Sequence, residues 1–287
     1  MIIDCRLRPA TQPYLKSTVT FTEQTRHYHK TYSVGVAPSV LEESVELCLQ
    51  EMDEAKIDLG CCPARWGVGE ESLVPPEEVV RVMTEYPGRF YGAVAVNQIY
   101  MEKSLDIIEK FVINGPVKAV CLEPGINGTE PMYFDDKRIF PIYELLEDKN
   151  IPLFLMAGGL VGTDISYSNP VSLSRMLNLF PHLTVIDIHA SIPWVDEAIF
   201  TAVRCPNLFL CPDMYLMNTP FADRFIQAAN GMIQDQFLFG TSYPFIPMGE
   251  YMEIWNTFPI KDSVRDKIMY QNAARALNLD PESVKRF

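Results

Sequence analysis

The chain alternates short apolar runs with amphipathic segments of helical period. The first nine residues, from Met1 to Pro9, predict a buried strand that ends at a proline, and seven more apolar runs follow it. Those runs are 57–62, 91–96, 117–122, 152–156, 183–188, 208–211 and 237–240. Helical patterns lie between them, at 77–85, 101–112, 139–148, 170–179, 195–203, 222–229 and 263–277. Prolines at positions 87, 181 and 206 end helices ahead of strands.

Eight strand–helix units in 287 residues predict an α/β protein, a single-domain (β/α)8 TIM barrel spanning residues 1–287. A doubly wound open sheet is the alternative. The strand count disfavours it, as does the lack of a glycine-rich phosphate loop after strand one.

The segment from Ala10 to Pro38 shows no clear period, so we predict a long irregular loop after strand one. It contains His27 and His29, whose spacing would suit a metal on a strand, although solvated loop histidines are the simpler interpretation. Ser39 followed by Glu42 predicts a capping box that opens an amphipathic helix.

Composition narrows the class of protein. The formal net charge of −13 argues against nucleic acid or an anionic membrane as partner. Seven cysteines without paired spacing indicate reduced, mostly buried thiols and no zinc site. The sequence shows neither a signal peptide nor an apolar run of about 18 residues, so we predict a cytoplasmic protein without a membrane span.

In a barrel, chemistry is placed at the carboxyl ends of the strands. Strand one ends with Arg6 and Arg8, which lie two residues apart and therefore share one face. Two inward guanidiniums are costly unless an anion or carboxylates meet them. The later strand ends carry Arg65, Trp66, Asn97, Glu123, Met156, His189, Asp213, Tyr215, Ser242 and Tyr243.

Several motifs at these positions resemble one known family. Asp4-Cys-Arg-Leu-Arg8 is similar to the Asp-x-His-x-His opening of the amidohydrolase-related family, in the branch that contains aminocarboxymuconate-semialdehyde decarboxylase and related hydrolases and hydratases. Other similar stretches, in the same order, are Glu85-Tyr-Pro-Gly-Arg-Phe-Tyr-Gly92, 117–158, Gly240-Thr-Ser-Tyr-Pro244 and Asn272-Ala-Ala-Arg275. The resemblance implies a TIM barrel, an enzyme and a homo-oligomer.

The resemblance also implies a divalent metal, but the ligand positions differ. Where the family has four histidines and an aspartate, this chain has Arg6, Arg8, Met156, His189 and Ser242. A guanidinium has no lone pair to give, and thioether and hydroxyl groups are poor substitutes for imidazole and carboxylate. We therefore predict no metal and no other cofactor, with Arg6 and Arg8 binding a substrate carboxylate or a developing oxyanion.

His189 is the candidate acid–base residue, since it ends a strand and imidazole titrates near neutral pH. The alternative is a structural histidine. Glu123 and Asp213 are the candidate inward carboxylates, each either a base for water or a counter-ion of the arginines.

Four further residues are candidates for substrate binding. Tyr215, Tyr243 and Trp66 would wall a pocket for a flat or cyclic molecule, and ordinary packing is the alternative for each. Ser242 lacks a nucleophile-elbow sequence, so we interpret it as a former ligand position that contacts substrate.

Together these features predict a metal-independent hydrolase of a small carboxylate-bearing substrate, with cyclic (lactone-like) and aromatic compounds as the candidate classes. Three alternatives stay open. The first is a decarboxylase or hydratase of the same family, and the second is a non-catalytic barrel that binds a small anion. The third is a non-standard metal held by His189 with Glu123 or Asp213.

Overall fold

The computed structural model describes residues 1–17, 23–126, 130–159, 162 and 164–280. Seven strands of the described chain form one parallel sheet in sequential order. They are β1 (Ile3–Asp4), β2 (Leu59–Pro63), β3 (Phe90–Val96), β4 (Ala119–Leu122), β5 (Leu153–Gly158), β6 (Val185–Ile192) and β7 (Leu208–Cys211). Each pairs in parallel with the next, beginning with Ile3 opposite Leu59.

An eighth extended segment, 237–240, joins the last strand to the first. On one side, the Leu238 N–H donates to Leu210 O at 2.9 Å, and on the other the Cys5 N–H donates to Phe239 O at 2.9 Å. Backbone bonds on both sides carry the sheet back to β1, which confirms the predicted α/β barrel. The described chain contains no helix of the length and apolarity needed to span a bilayer.

Helices surround the sheet. They are α1 (Gln12–Ser17), α2 (Glu23–Tyr32), α3 (Pro38–Leu41), α4 (Val45–Glu54), α5 (Pro76–Glu85), α6 (Met101–Ile107), α7 (Phe140–Asp148), α8 (Pro170–Leu179), α9 (Val195–Arg204), α10 (Ala222–Ala229), α11 (Met248–Trp255), α12 (Asp262–Asp266) and α13 (Asn272–Ala276). Shorter 3₁₀ turns occupy Glu70–Ser72, Lys137–Ile139, Ile165–Ser168 and Asp213–Leu216. The chain is π-helical at Ile108–Ile113 and Lys267–Gln271.

The barrel has an inner and an outer core. Small and branched side chains alternate along the strands and fill its interior, among them Cys5, Cys61 and Cys211. The larger outer core lies between the strands and the helices. All seven cysteines are buried and free, as expected for small apolar residues.

Two local predictions near the N-terminus differ from the structure. The predicted loop from Ala10 to Pro38 contains α1 and α2, with His27 and His29 both on α2. Ser39 does not cap a helix, because its hydroxyl and N–H both donate to the Glu51 carboxylate. The N-cap is Ser44 at the start of α4, where its hydroxyl accepts from the Leu47 N–H at 3.2 Å.

Candidate active site

A cavity lies at the carboxyl ends of the strands, as the barrel fold leads one to expect. It encloses about 480 Å³ of empty space, including its opening to solvent. Charged and apolar side chains both line it. Its lining residues are Arg6, Arg8, Arg65, Glu123, Ile126, Met156, His189, Met214, Tyr215 and Phe245.

Two buried arginines from the end of strand one supply most of the positive charge of the cavity wall. Arg6 and Arg8 are each only 2% exposed. The Arg6 Nη1 donates to Tyr243 O at 3.0 Å, and the Arg8 Nε donates to Pro63 O at 2.8 Å. Among the described residues, Arg6 Nε and Arg8 Nη2 have no hydrogen-bond acceptor. Buried guanidinium donors without acceptors favour an anionic ligand.

A third arginine shares a carboxylate with this pair. Arg65 Nε donates to Glu123 Oε2 at 2.9 Å, and Arg8 Nη2 lies 3.6 Å from Glu123 Oε1. Arg65 also donates to Ser17 O at 3.3 Å. Glu123 is thus held between two guanidiniums, which favours its interpretation as a counter-ion. The position of Arg65 after β2 placed it at a strand end, but the sequence pattern assigned it no role.

The charges around the cavity leave it cationic. Three guanidiniums face the carboxylates of Glu123 and Asp213, an excess of one positive charge before His189 is considered. Burial and the neighbouring Arg6 lower the pKa of Arg8 to about 9, so it stays protonated at neutral pH. Burial also lowers the pKa of Arg6, against the opposing effect of Asp213 and Glu123.

His189, which lines the cavity, lies against Asp213. His189 Nδ1 lies 2.6 Å from Asp213 Oδ2, although neither atom makes a hydrogen bond of good geometry. The Asp213 backbone O accepts from the Tyr251 hydroxyl at 3.0 Å. The Tyr215 ring meets the imidazole edge to face, with centroids 5.3 Å apart. A carboxylate at Nδ1 favours a proton there and leaves Nε2 to accept another.

The backbone at these strand ends is strained. His189, Ala190 and Ser191 have consecutive positive φ angles of 73°, 45° and 53°. Asp213 and Ser242 are also left-handed, at 46° and 68°. Non-glycine residues in this region cost free energy and cluster at functional sites. The conformation turns the strand ends sharply, and no sequence pattern signals it.

Two buried carboxylates hold the turns. Asp187 accepts from the Ser191 N–H at 3.2 Å and from its hydroxyl at 2.7 Å, bridging the left-handed run. Asp4 accepts from the N–H groups of Arg6 and Thr241 at 2.9 and 3.1 Å, and from the Thr241 hydroxyl at 2.6 Å. Burial raises the pKa of Asp4 to about 6 and that of Asp187 well above its usual value.

Asp4 makes stability depend on pH. Because its pKa is higher in the folded protein than in the unfolded chain, the stabilisation is complete below about pH 4 and is lost as the pH rises through about 6. Relative to Asp4→Asn, the free energy of unfolding of the parent should therefore fall by about 2 kcal/mol between about pH 4 and pH 7. Urea denaturation of both proteins across that range measures it. A constant difference would contradict it.

Three predicted binding residues lie outside the cavity lining. Ser242 is buried, and its hydroxyl has no hydrogen-bond partner among the described residues. The Tyr243 hydroxyl lies 2.6 Å from that of Ser39, so this ring faces α3. Trp66 is buried and stacks on Tyr100 with centroids 5.0 Å apart. Aromatic packing, the stated alternative, describes Tyr243 and Trp66, whereas Tyr215 does form part of the wall.

Most of the chain matches the model of one known protein family. The amidohydrolase family model matches residues 67–279. The chain belongs to the amidohydrolase family. Comparison with curated proteins gives no match.

Solved structures share the fold of this chain. An uncharacterized TIM-barrel protein from Bordetella bronchiseptica is 38% identical, with a TM-score of 0.89, and the alignment covers 96% of this chain and 98% of that one. The 2,6-dihydroxybenzoate decarboxylase from Rhizobium is 14% identical (TM-score 0.71; 96% and 98% covered). The 4-oxalomesaconate hydratase from Rhodopseudomonas palustris is 17% identical (TM-score 0.68; 97% and 96% covered). The last two likenesses concern the fold alone.

The strand ends of this amidohydrolase do not fit the divalent metal that the resemblance implies. Of Arg6, Arg8, Met156, His189 and Ser242, His189 alone offers an imidazole, and guanidinium groups cannot coordinate a cation. Within the described ranges, no three His, Cys, Asp or Glu residues are grouped so that they could hold a metal ion. The polar groups that this site offers for chemistry are therefore its arginines, its carboxylates and His189.

Proposed function

We propose that this amidohydrolase is a metal-independent enzyme that hydrolyses a small carboxylate-bearing carbonyl compound, with a lactone as the favoured class. The observation that carries the proposal is the contact between His189 and Asp213, 2.6 Å from Nδ1 to Oδ2, in the same cavity as Arg6 and Arg8. Such a site provides a base and a cationic anchor within one enclosed space.

The arginines serve as the anchor. The substrate carboxylate would accept hydrogen bonds from Arg6 Nε and Arg8 Nη2, the buried donors that lack acceptors in the described chain. A planar guanidinium fork suits a planar carboxylate. Arg65 and Glu123 hold the outer side of Arg8, so the anchor is rigid before substrate arrives.

His189 serves as the general base. Its Nε2 takes a proton from water as the water oxygen attacks the substrate carbonyl, and Asp213 stabilises the imidazolium that results. The carbonyl oxygen becomes an oxyanion, which a guanidinium stabilises. His189 then returns the proton to the leaving oxygen, which opens the ring of a lactone and regenerates the neutral imidazole.

Decarboxylation is the second candidate, because part of the cavity wall is apolar. Ile126, Met156, Met214 and Phe245 line it. An apolar wall disfavours a carboxylate relative to carbon dioxide and would suit an aromatic ring. A decarboxylase and a hydratase of similar fold have such reactions in their names, which keeps lyase chemistry open for this chain.

Isotope labelling separates the two reactions. A panel of lactones and aromatic acids is incubated with the protein in H₂¹⁸O, after exhaustive dialysis with and without chelator. Hydrolysis predicts one ¹⁸O in the product carboxylate, no released carbon dioxide, and equal rates in both preparations. Carbon dioxide release would instead establish the lyase, and activity lost with chelator would overturn metal independence. Binding of carboxylates without turnover of any panel member would favour the non-catalytic barrel.

A further inference from the structure

Strand β6 changes the direction of its side chains where it reaches the cavity. Ile186 and Ile188 point into the barrel interior and join the inner core, whereas Val185 belongs to the outer core. In a regular strand, His189 would therefore follow Val185 and Asp187 onto the outer face. The His189 side chain instead lines the cavity. The left-handed run that begins at His189 is the part of the strand that reverses the direction.

The left-handed run is a bulge in the pairing of β5 with β6. Met156 pairs with Ile188, and pairing resumes with Gly158 opposite Ile192, so one residue of β5 lies opposite three residues of β6. Gly158 has a φ of 104°, and a Cβ there would lie 2.5 Å from the Ile192 N, so the close approach of the two strands requires glycine. Bulges beside active sites re-aim a side chain, and this bulge aims His189.

A single side chain bridges the bulge. The Asp187 carboxyl accepts hydrogen bonds from the Ser191 N–H and hydroxyl, at 3.2 and 2.7 Å, and both residues are fully buried. Within the described ranges, no cation pairs with Asp187. Burial raises the pKa of Asp187 well above its usual value, and the Asp213 carboxylate acts in the same direction. These conditions favour the neutral acid, whose isostere is asparagine.

We propose that Asp187 is a positioning residue, whose hold on the bulge keeps the His189 imidazole in the cavity with Nδ1 against Asp213. This inference rests on the proposed function, in which His189 is the base. It adds a residue that acts through His189 and touches neither substrate nor the reacting atoms. A displacement of about 1 Å in a reacting group can cost about 100-fold in rate, so the bridge matters for turnover. A carboxyl that only stabilised the fold would leave the imidazole in place when the bridge was removed.

The tautomer of His189 reports the position of its ring without any turnover. The chain has four histidines, so long-range ¹H–¹⁵N spectra at alkaline pH can be assigned by comparison with His189→Ala. In the parent, Asp213 should keep the proton on Nδ1. Asp187→Ala should lose that preference and move toward the Nε2–H form that a free histidine side chain favours, whereas Asp187→Asn should keep it. The His182 signals should be the same in every variant.

Steady-state kinetics supply a second measurement. Asp187→Ala and Ser191→Ala should each lower kcat by about 10- to 100-fold, while the Kd of carboxylate ligands stays within about threefold and Asp187→Asn retains parental kcat. Ser104→Ala is the matched control for Ser191→Ala, because the Ser104 hydroxyl is also buried and makes two hydrogen bonds with the Asn97 backbone. The control should retain parental kcat.

A parental His189 tautomer in Asp187→Ala would overturn the proposal, as would an Asp187→Asn variant that loses this tautomer. If Asp187→Ala does not fold, Ser191→Ala carries the same test, because it removes the hydroxyl from the bridge and keeps the carboxyl. The two proposals can fail separately. If His189→Ala retains parental kcat, the proposed base is wrong, and the spectra still decide whether Asp187 positions the ring.

Discussion

Replacing His189 by alanine is expected to lower kcat by about 10²- to 10⁴-fold, the usual contribution of a general base. Affinity for the substrate carboxylate should change by less than about threefold, because Arg6 and Arg8 hold that group and neither bonds to His189. Steady-state kinetics give kcat, and calorimetric titration with a carboxylate ligand gives Kd. The combination of lost turnover and retained binding identifies a catalytic group.

His182→Ala is the matched control for this change. His182 is an exposed histidine that precedes β6 at the opposite end from the cavity. The control should retain parental kcat and Kd. If His189→Ala also retained parental kcat, His189 would be structural and the base would have to be sought elsewhere in the cavity.

Replacing Arg6 by methionine is expected to raise the Kd of carboxylate ligands by about 100-fold, or about 3 kcal/mol, and to reduce kcat/KM at least as much. Methionine keeps much of the buried length but removes the charge that faces Asp213 and Glu123. The cavity then has two guanidiniums against two carboxylates, so its excess positive charge disappears. Calorimetric titration measures the loss of binding.

Arg89→Met controls for burial of an arginine as such. Arg89 is 8% exposed, pairs with Asp53 at 2.7 Å, and precedes β3 at the opposite end of the barrel. The Arg89→Met variant should have a less stable fold than the parent but the same Kd for carboxylate ligands. If Arg6→Met and Arg89→Met weakened binding equally, a general loss of structure would explain the effect, and the anchor role of Arg6 would be contradicted.

The barrel could be predicted because parallel strands covered on both faces are nearly continuous apolar runs. Helices α8 and α10 were predicted to the residue, since proline or a break in period marks their limits. The helices in the segment from Ala10 to Pro38 were not predicted, because α1 and α2 are short and polar. The predicted capping box at Ser39 was wrong because the Ser39 hydroxyl donates a hydrogen bond to Glu51, twelve residues along the chain.

In a barrel, chemistry lies at the carboxyl ends of the strands, and this rule predicted that Arg6, Arg8, Glu123 and His189 share one cavity. All four residues line the cavity in the structure. The rule could not tell which of two neighbouring residues at one strand end faces the cavity. Arg65 lines the cavity whereas Trp66 turns away to stack on Tyr100. Apolar wall residues such as Met214 and Phe245 carry no chemical signal in sequence, and the left-handed run that places His189 depends on contacts with Asp187.

Because the cavity is enclosed, the affinity of a ligand and its rates of binding and release can depend on different residues. Arg6 and Arg8 are 2% exposed and His189 is 7% exposed, so a molecule that reaches them leaves most of its contact with solvent behind. Helix α2 contacts the cavity wall, since the Tyr32 ring packs edge to face on Tyr215, which lines the cavity. We therefore expect the residence time of a bound carboxylate to depend on the packing of this helix as well as on the arginines.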